Sequence, residues 1–410
     1  MARVVAGEFN GQVTTPSRRD FALMLTALLL LAVNLRLAVT TASVLLPLLI
    51  DEGALTPQAA IVIPAVPTAL FAVGGVLTPW LSRRIGAVAA VTWASVAVAI
   101  GMLARFVPHS IAIVGGTVLA MSGIAVVNVM LPALVRATSG TRMRSVTTAY
   151  TTVLSASSAI GAAAGVPVAH ALGSATLSLG SWALLAVVAL GVWIAAVSGR
   201  GINDALAAPA SQGRVPLPRG TWPLTGFFAL QALLAFVVMG WLPTIAVDSG
   251  ITPARAGVLL GIVIMVSIPA GMAAVSMAHT LRGIRIGVVG VSVSAAAGLL
   301  GLWLAPTAAP ELWSVLIGAG MAAFPLTLAL IARSGSGAAE ATRVSGVAQG
   351  VGYAISTIGP LGAGAWYGAG GEWGPVLVAL VVGAVLQALI GLALASAPKA
   401  SGPKAAAPRA

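Results

Sequence analysis

Arg36 is the residue in this chain whose type and setting most directly suit chemistry. It sits about midway along an apolar run from Phe21 to Ile50 that contains no Asp or Glu. A charge at bilayer depth costs from about 2.5 to more than 10 kcal/mol, depending on how far water and snorkelling relieve it. An arginine kept there should face a wet, protein-lined cavity. Its planar fork of donors suits ligands with two acceptor oxygens, such as a carboxylate or a nitro group, and also suits cyanate. The same geometry could instead cap backbone carbonyls between helices, and the residue type alone leaves both roles open.

Other polar residues stand in apolar runs. Asn128 carries an amide that needs partners at membrane depth, either a substrate or a neighbouring helix. Gln231 lies opposite Leu35 at an offset of 196 residues, next to the repeat position of Arg36. Gln349 and Tyr353 are four apart and share a helix face. Tyr150 falls near the repeat position of Gln349, and Thr40 is one turn beyond Arg36. These seven residues are the expected substrate-binding set. Gly161 and Gly165 are spaced as a helix-packing face.

Several chemistries are excluded by what the chain lacks. It has no cysteine, so thiolate metal sites and cysteine nucleophiles are out. His109, His170 and His279 stand near the ends of apolar runs, without a second histidine or a carboxylate at metal-ligand spacing. The nine carboxylates all fall between or at the ends of those runs. A membrane-embedded carboxylate relay, common in pumps, is therefore not expected. No glycine-rich phosphate loop with lysine occurs, so ATP is not expected to drive the protein. The sequence gives no reason to expect a cofactor, a metal or an enzyme.

The elements that must position these residues follow from composition. The chain has 410 residues, 59% hydrophobic and only 7% charged, against roughly 25% charged in a soluble domain. It must live in lipid. A span needs about 20 apolar residues, and runs of that kind occur at 21–50, 58–82, 86–106, 110–136, 145–171, 175–198, 221–248, 254–279, 285–305, 311–333, 343–368 and 374–396. Twelve transmembrane helices are expected, in an all-α membrane protein. The polar, Pro/Gly-rich stretch 199–220 divides them into bundles over 21–198 and 221–396, with tails at 1–20 and 397–410.

Lys and Arg orient the spans. With an internal N-terminus, 18 of the 21 lie on the inner side, and the outer loops hold only Arg105 and Arg255. Both termini are expected in the cytoplasm of a bacterial cell, with the chain in the inner membrane. This distribution accounts for the net charge of +12 without a nucleic-acid partner. The expected partners are the bilayer and a small-molecule substrate, with the chain acting as a monomer.

The two bundles repeat one another. Leu46-Pro47 and Thr56-Pro57 match Leu242-Pro243 and Thr252-Pro253 at an offset of 196, and Arg136 and Ser139-Gly140 match Arg333 and Ser336-Gly337 at 197. Like halves can rock about a site at their interface.

Twelve helices, two like halves and a central loop resemble the major facilitator superfamily. Its loop motif after the second helix is degenerate here, since GVLTPWLSRRIG from Gly75 to Gly86 lacks the usual acidic residue. Four further segments carry a narrower resemblance. They are Asn34-Leu35-Arg36 followed by Leu45-Leu46-Pro47; GIAVVNVMLPALVRA with Asn128 and Pro132; LQALLAF with Gln231, followed by Trp241-Leu242-Pro243; and RVSGVAQGVGYAISTIGP with Gln349, Tyr353 and Pro360. As a set they resemble the cyanate and 2-nitroimidazole transporter family of that superfamily. Members usually carry proline after the arginine, where this chain has Leu37. The resemblance implies a secondary transporter for a small polar or anionic solute. The competing reading is a drug/proton antiporter exporting lipophilic compounds. That activity would call for an acidic residue in the cavity and a Gly-Pro motif in the fifth helix, where the chain reads Gly165-Val166-Pro167.

Overall fold

The computed structural model describes residues 18–139, 142–198, 217–218, 220–334 and 338–396. The residues expected to form the tails and the central linker lie largely outside them. Every regular element among the described residues is helical. Lipid forces this outcome, because each backbone donor and acceptor must find a partner within its own segment.

The first half comprises α1 (Arg18–Asp51), a single turn α2 (Pro57–Ala60), α3 (Val66–Ile85), α4 (Ala87–Ala104), α5 (Ser110–Ser139), α6 (Met143–Leu172), α7 (Ala175–Ser181) and α8 (Ala183–Val197). The second comprises α9 (Thr221–Asp248), α10 (Pro253–Met277), α11 (Leu281–Leu304), α12 (Pro310–Gly320), α13 (Ala323–Ala332), α14 (Ala338–Ser356), α15 (Ile358–Gly368) and α16 (Trp373–Ser396). Among the described residues, 10 helical segments are long and apolar enough to cross a membrane, with 175–197 and 310–332 each counted as one. The other two expected spans, 58–82 and 343–368, are broken. Pro64 and Pro67 interrupt the first between α2 and α3, and the second breaks at Thr357, just before Pro360. Proline removes a backbone donor and crowds the carbonyl four residues earlier.

The packing repeats between halves. α1 packs on α6 and α8 as α9 packs on α14 and α16, and α4 meets α5 and α8 as α11 meets α12 and α16. One side-chain bond ties the corresponding pair in each half. Trp193 Nε1 on α8 donates to Thr92 Oγ1 on α4 at 2.9 Å, and Gln387 Nε2 on α16 donates to Ser292 Oγ on α11 at 3.1 Å. The halves meet through α6 on α10, α3 on α14 and α1 on α9.

Candidate functional site

Arg36 lies near the middle of α1, and its Nη1 points at the Met239 sulfur on α9, 3.8 Å away. Among the described residues this is the guanidinium's only hydrogen-bond partner, and no carboxylate pairs with it. A thioether is a weak acceptor. The cation therefore meets the opposite half through a partner that a better acceptor would displace.

Beside it stands an aromatic group built from three helices. Tyr353 on α14 is nearly buried, and its ring lies 5.1 Å from Phe228, 5.8 Å from Phe71 and 6.1 Å from Phe236. Phe71 comes from α3 in the first half, while Phe228 and Phe236 come from α9. Tilted and edge-on contacts of this kind are favourable beyond simple burial. The cluster joins the two halves at the level of Arg36. On the side of Arg36 toward Asp51 and Asp248 lies a small, nearly closed pocket between the halves, of about 10 Å³. Its walls include Ala38 and Ser43 of α1, Pro64 before α3, Thr117 of α5, and Phe236 and Met239 of α9.

The other expected site residues divide. Asn128, Tyr150 and Gln349 are half-buried. Tyr150 packs at the edge of the core that contains Leu35 and Tyr353, and Gln349 Nε2 donates to Ser345 Oγ at 2.7 Å. Thr40 is fully buried and bonds back to its own helix, to the Arg36 carbonyl at 3.2 Å and the Leu37 carbonyl at 3.4 Å. A Cβ on Gly161 would fall 2.7 Å from Thr40 Oγ1, so Thr40 is a contact point between α1 and α6. Gln231 lines a separate small pocket of about 20 Å³ within the second half, together with Gln387 and Leu299. Asn34 donates to Leu30 and Leu185 carbonyls, at 2.9 and 3.4 Å, and ties α1 to α8.

Sequence reasoning missed two features. Phe71, Phe236 and Met239 are ordinary apolar residues in apolar helices, and no pattern separates them from lipid-facing neighbours. Arg105, assigned to an outer loop, has no exposed surface, and its Nη1 donates to the Ala38 carbonyl at 3.2 Å. Its signal is a loop of only a few residues between α4 and α5, too short to hold a long side chain clear of the helices.

The helical, internally repeated arrangement of the described residues, with an arginine at the meeting point of its halves, has the fold of solved major facilitator transporters. Solved structures with this fold include a bacterial homolog of the human lysosomal transporter Spinster in an inward-facing, unoccupied conformation. It has a TM-score of 0.73 at 15% identity over 92% of this chain and 98% of that one. The peptide transporter POT gives 0.70 at 14% identity, over 90% and 94%. In sequence, the chain is 29% identical over 384 residues to the 2-nitroimidazole transporter of Escherichia coli, covering 92% of this chain and 97% of the relative. It is 24% identical over 340 residues to the cyanate transport protein CynX of the same organism, covering 82% and 88%. No family model matches the chain. The resemblance drawn from the four motif segments holds, since the relatives span most of the chain.

Proposed function

We propose that the chain is a secondary transporter that moves a small polar or anionic solute by alternating access, with Arg36 as the central substrate-binding residue. The observation that carries this reading is a guanidinium at the meeting of the halves whose only hydrogen-bond partner among the described residues is a thioether. Cyanate, a nitroimidazole or a small carboxylate offers the planar acceptor such a fork prefers. The adjoining rings of Tyr353, Phe71 and Phe236 favour a flat ligand. Half-buried Asn128, Tyr150 and Gln349 are the further candidates to touch it, with Thr40 and Gln231 supporting the helices. A drug/proton antiporter fits less well, since among the described residues no carboxylate pairs with Arg36.

The binding test uses purified protein and a panel of nitrate, cyanate, benzoate and 2-nitroimidazole. Arg36→Ala should abolish binding of the solute that wild type prefers, and Arg36→Lys should weaken it. A charge-assisted hydrogen bond contributes roughly 1.5–3 kcal/mol, so Kd should rise about tenfold or more. Unchanged affinity in a folded but destabilised Arg36→Ala protein would refute the role.

The same reading places a monomer in the inner membrane with twelve spans, in bundles over 21–198 and 221–396, and both termini in the cytoplasm. Close contacts between halves, such as Gly240 on Pro64 and Gly364 on Ile61, fall on the Asp51 and Asp248 side of Arg36. With the orientation set by the arginines, this supports an inward-facing state. Reporter fusions at Ala410 and within 199–220 should both score cytoplasmic, and a periplasmic signal from either would remove the orientation.

A further inference from the structure

Gln231 of α9 and Gln387 of α16 are buried within the second half, at 4% and 1% exposure. A side-chain amide has two donor hydrogens and an acceptor oxygen, and burial obliges it to find partners for them. Gln387 Nε2 donates to Ser292 Oγ of α11 at 3.1 Å. Among the described residues, Gln387 Oε1 and Gln231 Nε2 have no hydrogen-bond partner. One is an acceptor and the other a donor. Each carries a desolvation penalty for as long as it stays bare.

Both side chains line the same pocket of about 20 Å³, whose other walls include Leu234 and Val238 of α9, Leu299 of α11 and Ile317 of α12. A single water needs about 10–15 Å³ of such space and at least two polar partners. The pocket is too small for an organic solute, and a bare cation would meet the donor of Gln231. The occupant these groups call for is neutral, one heavy atom in size, and able to accept from one amide while donating to the other. We propose that this pocket binds one water molecule, which accepts from Gln231 Nε2 and donates to Gln387 Oε1. It joins α9 to α16 and, through Ser292, to α11. All three helices belong to one half, so the water holds that half together as a body, and it gives Gln231 a partner other than the solute.

The repeat supports a built site. A pocket of about 10 Å³ in the first half is lined by Asn34 of α1 and Ser95 of α4. These residues match Gln231 and Ser292 at an offset of 197, and Asn34 Oδ1 is also left without a partner among the described residues. A buried amide on the first helix and a serine facing it from the fourth span thus recur in both halves.

The test is a structure of the wild-type protein in nanodiscs at a resolution that shows ordered water. One density peak is expected within about 3.2 Å of both amides. An empty pocket, or amides bonded directly to each other, overturns the proposal, and so does density with the shape of the solute, which would return Gln231 to solute binding. Melting temperatures give a second readout. Gln231→Met and Gln387→Met each strand the remaining amide and should lower the melting temperature. The double variant should lose no more than the worse single one, because removing both partners strands nothing. Strictly additive losses overturn the proposal. Val238→Ile adds one methyl to the pocket wall. By expelling the water it should lower the melting temperature of the wild type but not that of the double Met variant, and an equal loss in both would mean overpacking of a dry pocket and overturn the proposal. If a Met variant fails to fold, the wild-type structure still decides.

Discussion

Among the polar residues expected around Arg36, Thr40 shows how a hydroxyl can be taken up by its own helix. Spacing puts it one turn beyond Arg36, but a threonine in a helix can satisfy its hydroxyl by bonding back to the preceding turn. Thr40 does so, and its remaining surface meets α6 at Gly161. The unusual charge of Arg36 was legible in the sequence because few residues survive at that depth without a role. The satisfaction of a hydroxyl by its own backbone leaves no such trace. The close approach of α1 and α6 gives a direct test. Gly161→Ala should destabilise the protein, since overpacking costs about 1–3 kcal/mol. Combining it with Thr40→Ala removes the nearest obstructing atom and should restore part of the loss. Melting temperatures of the two single variants and the double variant measure this, and strictly additive losses would show that Thr40 is not the atom in the way.

At the scale of elements, the repeat in the sequence marks local physical devices. Thr56 and Thr252 each precede a proline, and each hydroxyl accepts a backbone N–H three residues on, Ala59 at 3.3 Å and Arg255 at 3.4 Å. Threonine as the cap with proline in the first turn is a strong helix start. The repeated Thr-Pro pairs were therefore legible as boundaries, and the helices begin there. Span interiors were less legible. The run 343–368 reads as one apolar segment, yet it splits at Thr357 ahead of Pro360, and 58–82 splits around Pro64 and Pro67. Hydropathy counts apolar residues and is blind to where a missing donor breaks the backbone ladder. These two broken segments face each other across the halves, through α3 and α14, and they bring Phe71 and Tyr353 together beside Arg36. Irregular helix in a membrane is tolerated where it is buried in protein, so the breaks belong at such an interface.

At the scale of the molecule, the charge distribution and the packing point to one cycle. The halves touch around Ile61, Pro64, Gly240 and Gly364, toward the Asp51 and Asp248 ends, and α5 makes no comparable interface with α13 or α14 among the described residues. Transport by alternating access requires that the contact at the Asp51 and Asp248 ends break once in every turnover. A Cβ on Gly364 would lie 2.8 Å from Ile61 Cγ2 and 2.7 Å from Trp241 Cζ2, so a thiol at 364 faces residue 61 once the Trp241 ring shifts slightly, and a disulfide needs its Cβ atoms roughly 3.5–4.5 Å apart. In a chain without native cysteines, Ile61→Cys with Gly364→Cys should cross-link cleanly under oxidation. The oxidised double variant should lose transport in proteoliposomes and recover it on reduction, while each single variant stays active under both conditions. Arg36 would remain reachable from the open side, so the locked protein should still bind solute. Full transport by protein shown to be cross-linked would mean that the halves do not separate at Ile61 and Gly364, and the alternating-access reading would fail.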